Sequence, residues 1–321
     1  MGGVGQIGFG PASTVDGPPP IPPVRSLLAA ASAPAAGVRI VVDLDSGAVV
    51  GIEEAVAAGW LEPGAGRERW MNGVTVWPYP PYLASLWDSC AVGSDQGEKP
   101  DGDEIPLPEF AAFTVVLPET CTSYTIPDQD AFKARAVAAL TAVESAAVAR
   151  ELLAGDLLGN QPHLADGEGT FPNGDTITSV VNGLALLEGE IARSGKLGLI
   201  HMSPMAATFL RNYYVIDDKT GVLRTINGNV VIPDAGYVDA VAPDGGHAPA
   251  AAGQEWMYAT GPIDIRRSEI FTTPDNVAQA LDRGAHGKPN SITYRAERYY
   301  LIDWDTTLQA AVLVDRCQTE C

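Results

Sequence analysis

The most regular pattern along the chain is helical. In TIPDQDAFKARAVAALTAVESAAVARELLAGD, residues 125–156, Phe132, Ala136, Leu140, Val143 and Ala147 recur at intervals of three and four, which predicts a helix over 128–154 with one narrow apolar stripe. Pro127 fits the first turn, Asp128 and Asp130 favour the amino end, and Gly155 ends it. At ~3.6 residues per turn such a helix makes about seven turns, long enough to act as a strut. A second helix is predicted in DTITSVVNGLALLEGEIARSG (175–195), with Asp175 as N-cap, a stripe of Ile177, Val180, Val181, Leu184, Leu187 and Ile191, and Gly195 after its end. The apolar run KLGLIHM (196–202) predicts a buried strand, and Ser203-Pro204 supplies an N-cap and a first-turn proline for a short helix, SPMAATFLRN.

Around these helices the pattern is that of strands. VRIVVDL (38–44) is a short β-branched strand, and a short helix is expected to end near Gly59. Residues 66–120 run from an aromatic, Pro-broken stretch through the polar AVGSDQGEKPDGDEIPLP to FAAFTVVLPETC, two extended segments around a polar tip, hence a long projecting hairpin. VLRTINGNVVIPDAGY (222–237) reads as strand, Asn-Gly turn, strand. WMYATGPIDIRRSEIF alternates around Ile263 and Ile265, TTPDNVAQALD repeats a Thr-Pro helix start, and SITYRAERYYLIDW and LQAAVLVD close the chain as strands. One long helix, shorter helices and several antiparallel strands make the class α+β.

Composition narrows the function. Forty acidic residues against twenty basic ones give a net charge of −20, which argues against phosphate-binding surfaces and favours solubility and repulsion of nucleic acid. No stretch approaches the roughly 18 uninterrupted apolar residues of a membrane span, and the first thirty residues hold one basic residue, Arg25, and Pro clusters in place of an apolar core. The expectation is a soluble protein made and kept in the cytosol. Cys90, Cys121, Cys317 and Cys321 lack zinc-like spacing; a Cys90–Cys121 disulfide and buried free thiols are both compatible with the sequence, and the second is favoured.

The order of elements resembles the major capsid proteins of tailed bacteriophages, the Hong Kong 97-like fold that encapsulin compartments also use. LGLIHMSPMAATFLRN is similar to the family's axial strand and helix with its "-MSP-" turn. In DDKTGVLRTINGNVVI, Asp218, Gly221, Leu223, Gly228 and Val231 stand where the family has a D-x-x-G-x-L passage leading to paired valines, though GNVVI lacks the usual Pro. ITYRAERYYLIDWDTTLQAAVLVD resembles the closing strands, and WMYATGP and RAERYYLIDWD resemble virion proteins of phages that infect actinobacteria. The resemblance implies an N-terminal arm (1–65), an E-loop (66–120), a peripheral domain (121–175) with spine helix 128–154, an axial domain (176–260), and strands over 261–321 that return to the peripheral domain and close the axial one. It implies a non-enzymatic protein of the virion, assembled in the host cytoplasm. Copies would form hexamers and pentamers of an icosahedral head that encloses DNA without binding it specifically, with a portal and separate scaffolding or decoration proteins as partners, and no membrane or cofactor.

Three other functions are the alternatives: an encapsulin-like compartment shell, a tail-tube or decoration protein, and a hydrolase using His201 or Ser203. His201 and Ser203 lie two residues apart at a strand-to-helix turn, and a nucleophile elbow would need Gly-x-Ser-x-Gly, so Ser203 reads as a helix cap and His201 as a core residue. His163, His247 and His286 sit in separate loops, and the acidic run 95–106 lacks the D-x-D-x-D-G series of a calcium loop, so no catalytic, metal or cofactor site is expected. Contacts between subunits are expected of Trp70, Trp77 and Trp87 as anchors, and of Glu144 and Arg150 on the long helix. Arg266, Arg267, Arg295 and Arg298 in the late strands complete the set; neighbouring strand residues face opposite ways, so one of Arg266 and Arg267 should point outward.

Overall fold

A computed structural model describes residues 40–43, 49–51, 73–76, 108–121, 129–158, 161–195, 198–217, 222–244, 248–274, 280–283 and 289–316. Strands β1 (Ile40–Asp43), β2 (Val49–Gly51), β3 (Val74–Val76), β4 (Glu109–Phe110) and β5 (Phe113–Cys121) precede the long helix α1 (Gln129–Ala154). Then come β6 (Thr178–Ser179), α2 (Val180–Ser194), β7 (Leu199–Met202), α3 (Pro204–Asn212), β8 (Ile216–Asp217), β9 (Arg224–Thr225) and β10 (Val230–Pro233). The chain closes with β11 (Gln254–Thr260), β12 (Ile263–Arg267), β13 (Phe271–Thr273), β14 (Leu281–Arg283), β15 (Pro289–Trp304) and β16 (Gln309–Asp315).

The strut predicted from the sequence is present, 26 residues long, and Gly155 takes the left-handed conformation (φ +58°) that ends it. Its buried stripe differs from the expected one: it runs Phe132, Ala136, Leu140, Glu144 and Val148, while Val143 is exposed. The physical reason lies on β15, whose Arg298 supplies a partner that lets a carboxylate occupy the buried position. β15 pairs antiparallel with β5 from Ile292–Cys121 to Tyr300–Phe113. Period-two alternation then puts Val115, Leu117, Tyr294, Ala296 and Arg298 on the α1 side of this sheet.

The second sheet has the order β6-β16-β11-β7-β10-β9-β8. Two of its pairings are parallel, β10 with β7 and β16 with β6, beside the several antiparallel strands that the sequence pattern predicts. One face packs Ile200, Met202, Val231, Met257 and Val312 under α2 and α3. The other packs Ile232, Trp256, Tyr258 and Leu313 with Tyr237 and the carboxyl half of α1. Both faces are covered, so β11 is buried almost throughout instead of alternating. α2 is capped by Ser179, whose Oγ accepts from Asn182 N, and not by Asp175, because Thr178 and Ser179 are held in strand pairing with Val314 and Asp315. Ile177 consequently falls before the helix, outside its buried stripe.

Asp234-Ala235-Gly236 joins the second sheet to the strut. Asp234 accepts from Ser145 Oγ (2.7 Å) and Gly236 N (2.9 Å). A Cβ on Gly236 would stand 2.5 Å from Ala146 O and 2.7 Å from Ala149 Cβ. Gly236→Ala should therefore destabilise the chain by about 1–3 kcal/mol through overpacking against helix backbone, read as a lower urea midpoint. A midpoint equal to wild type would show that the contact yields without cost.

Of the hairpin expected over 66–120, β3 pairs with β4, Val74 opposite Phe110 and Thr75 opposite Glu109, while the second extended segment, β5, pairs with β15 instead of with the first. The acidic run 95–106 lies outside the described residues, as do the expected helix near Gly59, His247, His286, Cys90, Cys317, Cys321 and the middle of TTPDNVAQALD (275–279), whose ends lie in strands β13 and β14 where a helix start was expected. Cys121 is a free thiol. No described helix is long and apolar enough to cross a membrane.

Candidate functional site

His201 and Ser203 sit where the sequence raised the question of chemistry. β7 carries His201 toward the α1 side of the second sheet, and Ser203 starts α3 with Pro204 at its first helical position. His201 is fully buried between Tyr237 Oη (2.9 Å from Nδ1) and Thr260 Oγ1 (2.9 Å from Nε2). Thr260 donates its one hydroxyl proton to Gly261 O, so its oxygen accepts from His201 Nε2–H, and Nδ1 accepts from Tyr237 O–H. Burial lowers the imidazole to about 3, keeping it neutral, and raises the Tyr237 hydroxyl well above its usual value.

Ser203 belongs to a different set. Its Oγ donates to Glu255 Oε2 (2.7 Å) and accepts from Ala206 N (3.2 Å), the cap interaction expected of it. Burial raises the Glu255 carboxyl, opposed by the Ser203 hydrogen bond and by Arg316, whose Nε is 3.8 Å away. His201 and Ser203 thus have separate partners, and no hydrogen bond of a base–nucleophile pair links them. Ser203→Ala removes a cap and the donor to a buried carboxylate together, so a loss of about 2 kcal/mol is expected, measured by urea unfolding; an unchanged midpoint would contradict this role.

Among the residues expected at subunit contacts, the structure brings Glu144 and Arg298 together inside the chain: Arg298 Nη1 donates to Glu144 Oε1 at 2.8 Å, with side chains 13% and 4% exposed respectively. Tyr300 lies beside them, its hydroxyl pushed by burial up to about 12. Arg150 is half exposed near Asp156 (3.2 Å). Arg266 turns to Asp264 (3.2 Å) and Asp303 (4.0 Å), while Arg267 is exposed, the outward member of that pair. Arg295 is exposed on the face of β15 away from α1. Trp70, Trp77 and Trp87 lie outside the described residues. Among the described residues no group of His, Cys, Asp and Glu could hold a metal ion. The buried Ser203–Glu255–Arg316 set had no local signal in the sequence, because its members are brought together only by the pairing of β7, β11 and β16.

No protein-family profile matches the chain, and no curated protein matches it. Among solved structures it is similar to a capsid of a native GTA particle (11% identity, 71% of this chain and 81% of that one, TM-score 0.43). It is also similar to a structure from Gordonia phage Cozz (11% identity, 76% and 81%, TM-score 0.42) and to the SrpI encapsulin of Synechococcus elongatus PCC 7942 (14% identity, 67% and 79%, TM-score 0.39). Within the chain itself, a long helix, then a mixed sheet, then a long strand that returns to that helix follow one another.

Proposed function

We propose that this chain is a shell-forming structural protein, the major capsid protein of a tailed phage. The observation that carries the reading is the strut and the sheet beneath it. α1 covers one face of the β5–β15 sheet, and the opposite face bears exposed Val116 and Tyr299 beside Arg295 and Glu297. A layer of helix on sheet with its second face open in a single copy is suited to burial by neighbours.

In this reading residues 1–65 are an arm and 66–120 an E-loop that carry lateral contacts, with Trp70, Trp77 and Trp87 as anchors and Arg150, Arg267 and Arg295 at the rims. Copies associate as hexamers and pentamers, and the net charge of −20 limits adhesion to the enclosed double-stranded DNA. A portal and separate scaffolding or decoration proteins complete the head. Negative-stain electron microscopy of the purified full chain tests this: rings of five and six copies and closed shells are expected, and fields of single subunits under all assembly conditions would overturn it.

A further inference from the structure

The second sheet ends in two different edges, β8 and β6, and both expose apolar side chains. At the β8 edge, Tyr214 and Ile226 are 88% and 79% exposed. The β8–β9 register, Ile216 opposite Thr225 and Asp217 opposite Arg224, brings these two to the same end of the strand pair. Tyr214 is held in the left-handed region (φ +58°), which costs a non-glycine residue on the order of 1 kcal/mol, so an aromatic ring is presented to solvent on unfavourable backbone. Arg211, Arg224 and Asp217 are exposed there, and Glu188 reaches the adjoining turn, where Asn227 and Asn229 donate to its carboxylate. Arg224 donates one bond, to Gly228 O, and keeps further N–H groups available.

At the opposite edge, residues 170–179 line β16, with Thr170 bridging Ala310 and Thr178 pairing Val314. Phe171 and Ile177 are 37% and 46% exposed there, beside exposed Glu168 and Asp175. The sequence from 151 to 192 contains no Lys or Arg, so this edge is acidic throughout.

We propose that the β8 edge of one copy docks on the β6 edge of a second copy, with Tyr214 and Ile226 against Phe171 and Ile177, and Arg224 facing Asp175. The proposal rests on the shell reading above. The β6 edge against itself would oppose like charges, whereas edge to opposite edge brings Arg224 to Asp175 and covers apolar groups on both sides. Such a contact is heterologous, uses a different surface on each side, and gives a ring when the rotation from copy to copy closes, as the pentamers and hexamers of the shell reading require.

The test is a disulfide between copies. Seven strands separate the edges by six steps of about 4.8 Å, roughly 29 Å in all, far beyond the ~7 Å limit for bridged Cα atoms, so a bond between positions 177 and 226 joins two molecules. In the full chain carrying Ile177→Cys and Ile226→Cys, mild oxidation should give a ladder on non-reducing gels ending at five or six copies, at least tenfold above either single variant, which control for the native cysteines. Arg224→Glu and Asp175→Arg should each reduce assembly tenfold or more, and the two together should restore it. If wild type assembles while the double-cysteine chain crosslinks no more than the singles, the edge contact is overturned and the shell reading stands. If wild type fails to assemble at all, the shell reading itself falls, and this contact with it.

Discussion

Replacing Glu144 by alanine will lower the unfolding free energy by about 3–5 kcal/mol, as will replacing Arg298. The pair joins the middle of α1 to β15 with both side chains almost withdrawn from solvent, and either truncation leaves a buried charge without its partner. Glu144 Oε2 and Arg298 Nε have no hydrogen-bond partner among the described residues, so the pair itself is only partly satisfied. Replacing both members, Glu144→Leu with Arg298→Met, should then recover most of the loss, since exchanging a buried pair for packed apolar side chains is often neutral or stabilising. The measurement is a double-mutant cycle in urea. Additive losses from the two single variants would show that the pair does not couple helix to strand.

The second large effect is a pH dependence centred on His201. Its folded value, about 3, lies below the ordinary 6.5, so the unfolded chain takes up the proton first. Stability from this group is complete above pH 6.5 and is lost as pH falls toward 3, at roughly 1.4 kcal/mol per unit and on the order of 5 kcal/mol in total. Glu255 acts in the opposite sense: its folded value is raised above 4.5, so its contribution is gained as pH falls through that value. Comparing wild type with His201→Gln isolates the histidine. The difference between their unfolding free energies should shrink steadily from pH 6.5 to pH 4, and a constant difference would show that His201 is not held neutral by burial.

The helices were legible because their signals are local. Ser203-Pro204 opens α3, Gly155 and Gly195 close α1 and α2, and the Asn-Gly turn joins β9 to β10. Elsewhere a distant residue decides. Val143 was expected inside and Glu144 outside, but Arg298, 154 residues away, reverses them. Asp175 had the right chemistry to cap α2, yet pairing with β16 carries the extended chain on to Ser179. The parallel pairings and the doubly covered β11 likewise depend on crossovers that no short window records. At the junction of β7 and α3 the local signs of a cap were readable, whereas the partners of His201 come from 36 and 59 residues away.

The central claim is that single copies of this chain are incomplete and close into shells. Sedimentation velocity of the purified full chain under assembly conditions tests it most directly. The account predicts a megadalton boundary in equilibrium with, or exhausting, a pool of small oligomers; a single boundary at the mass of one 33.6 kDa chain under every condition would contradict it.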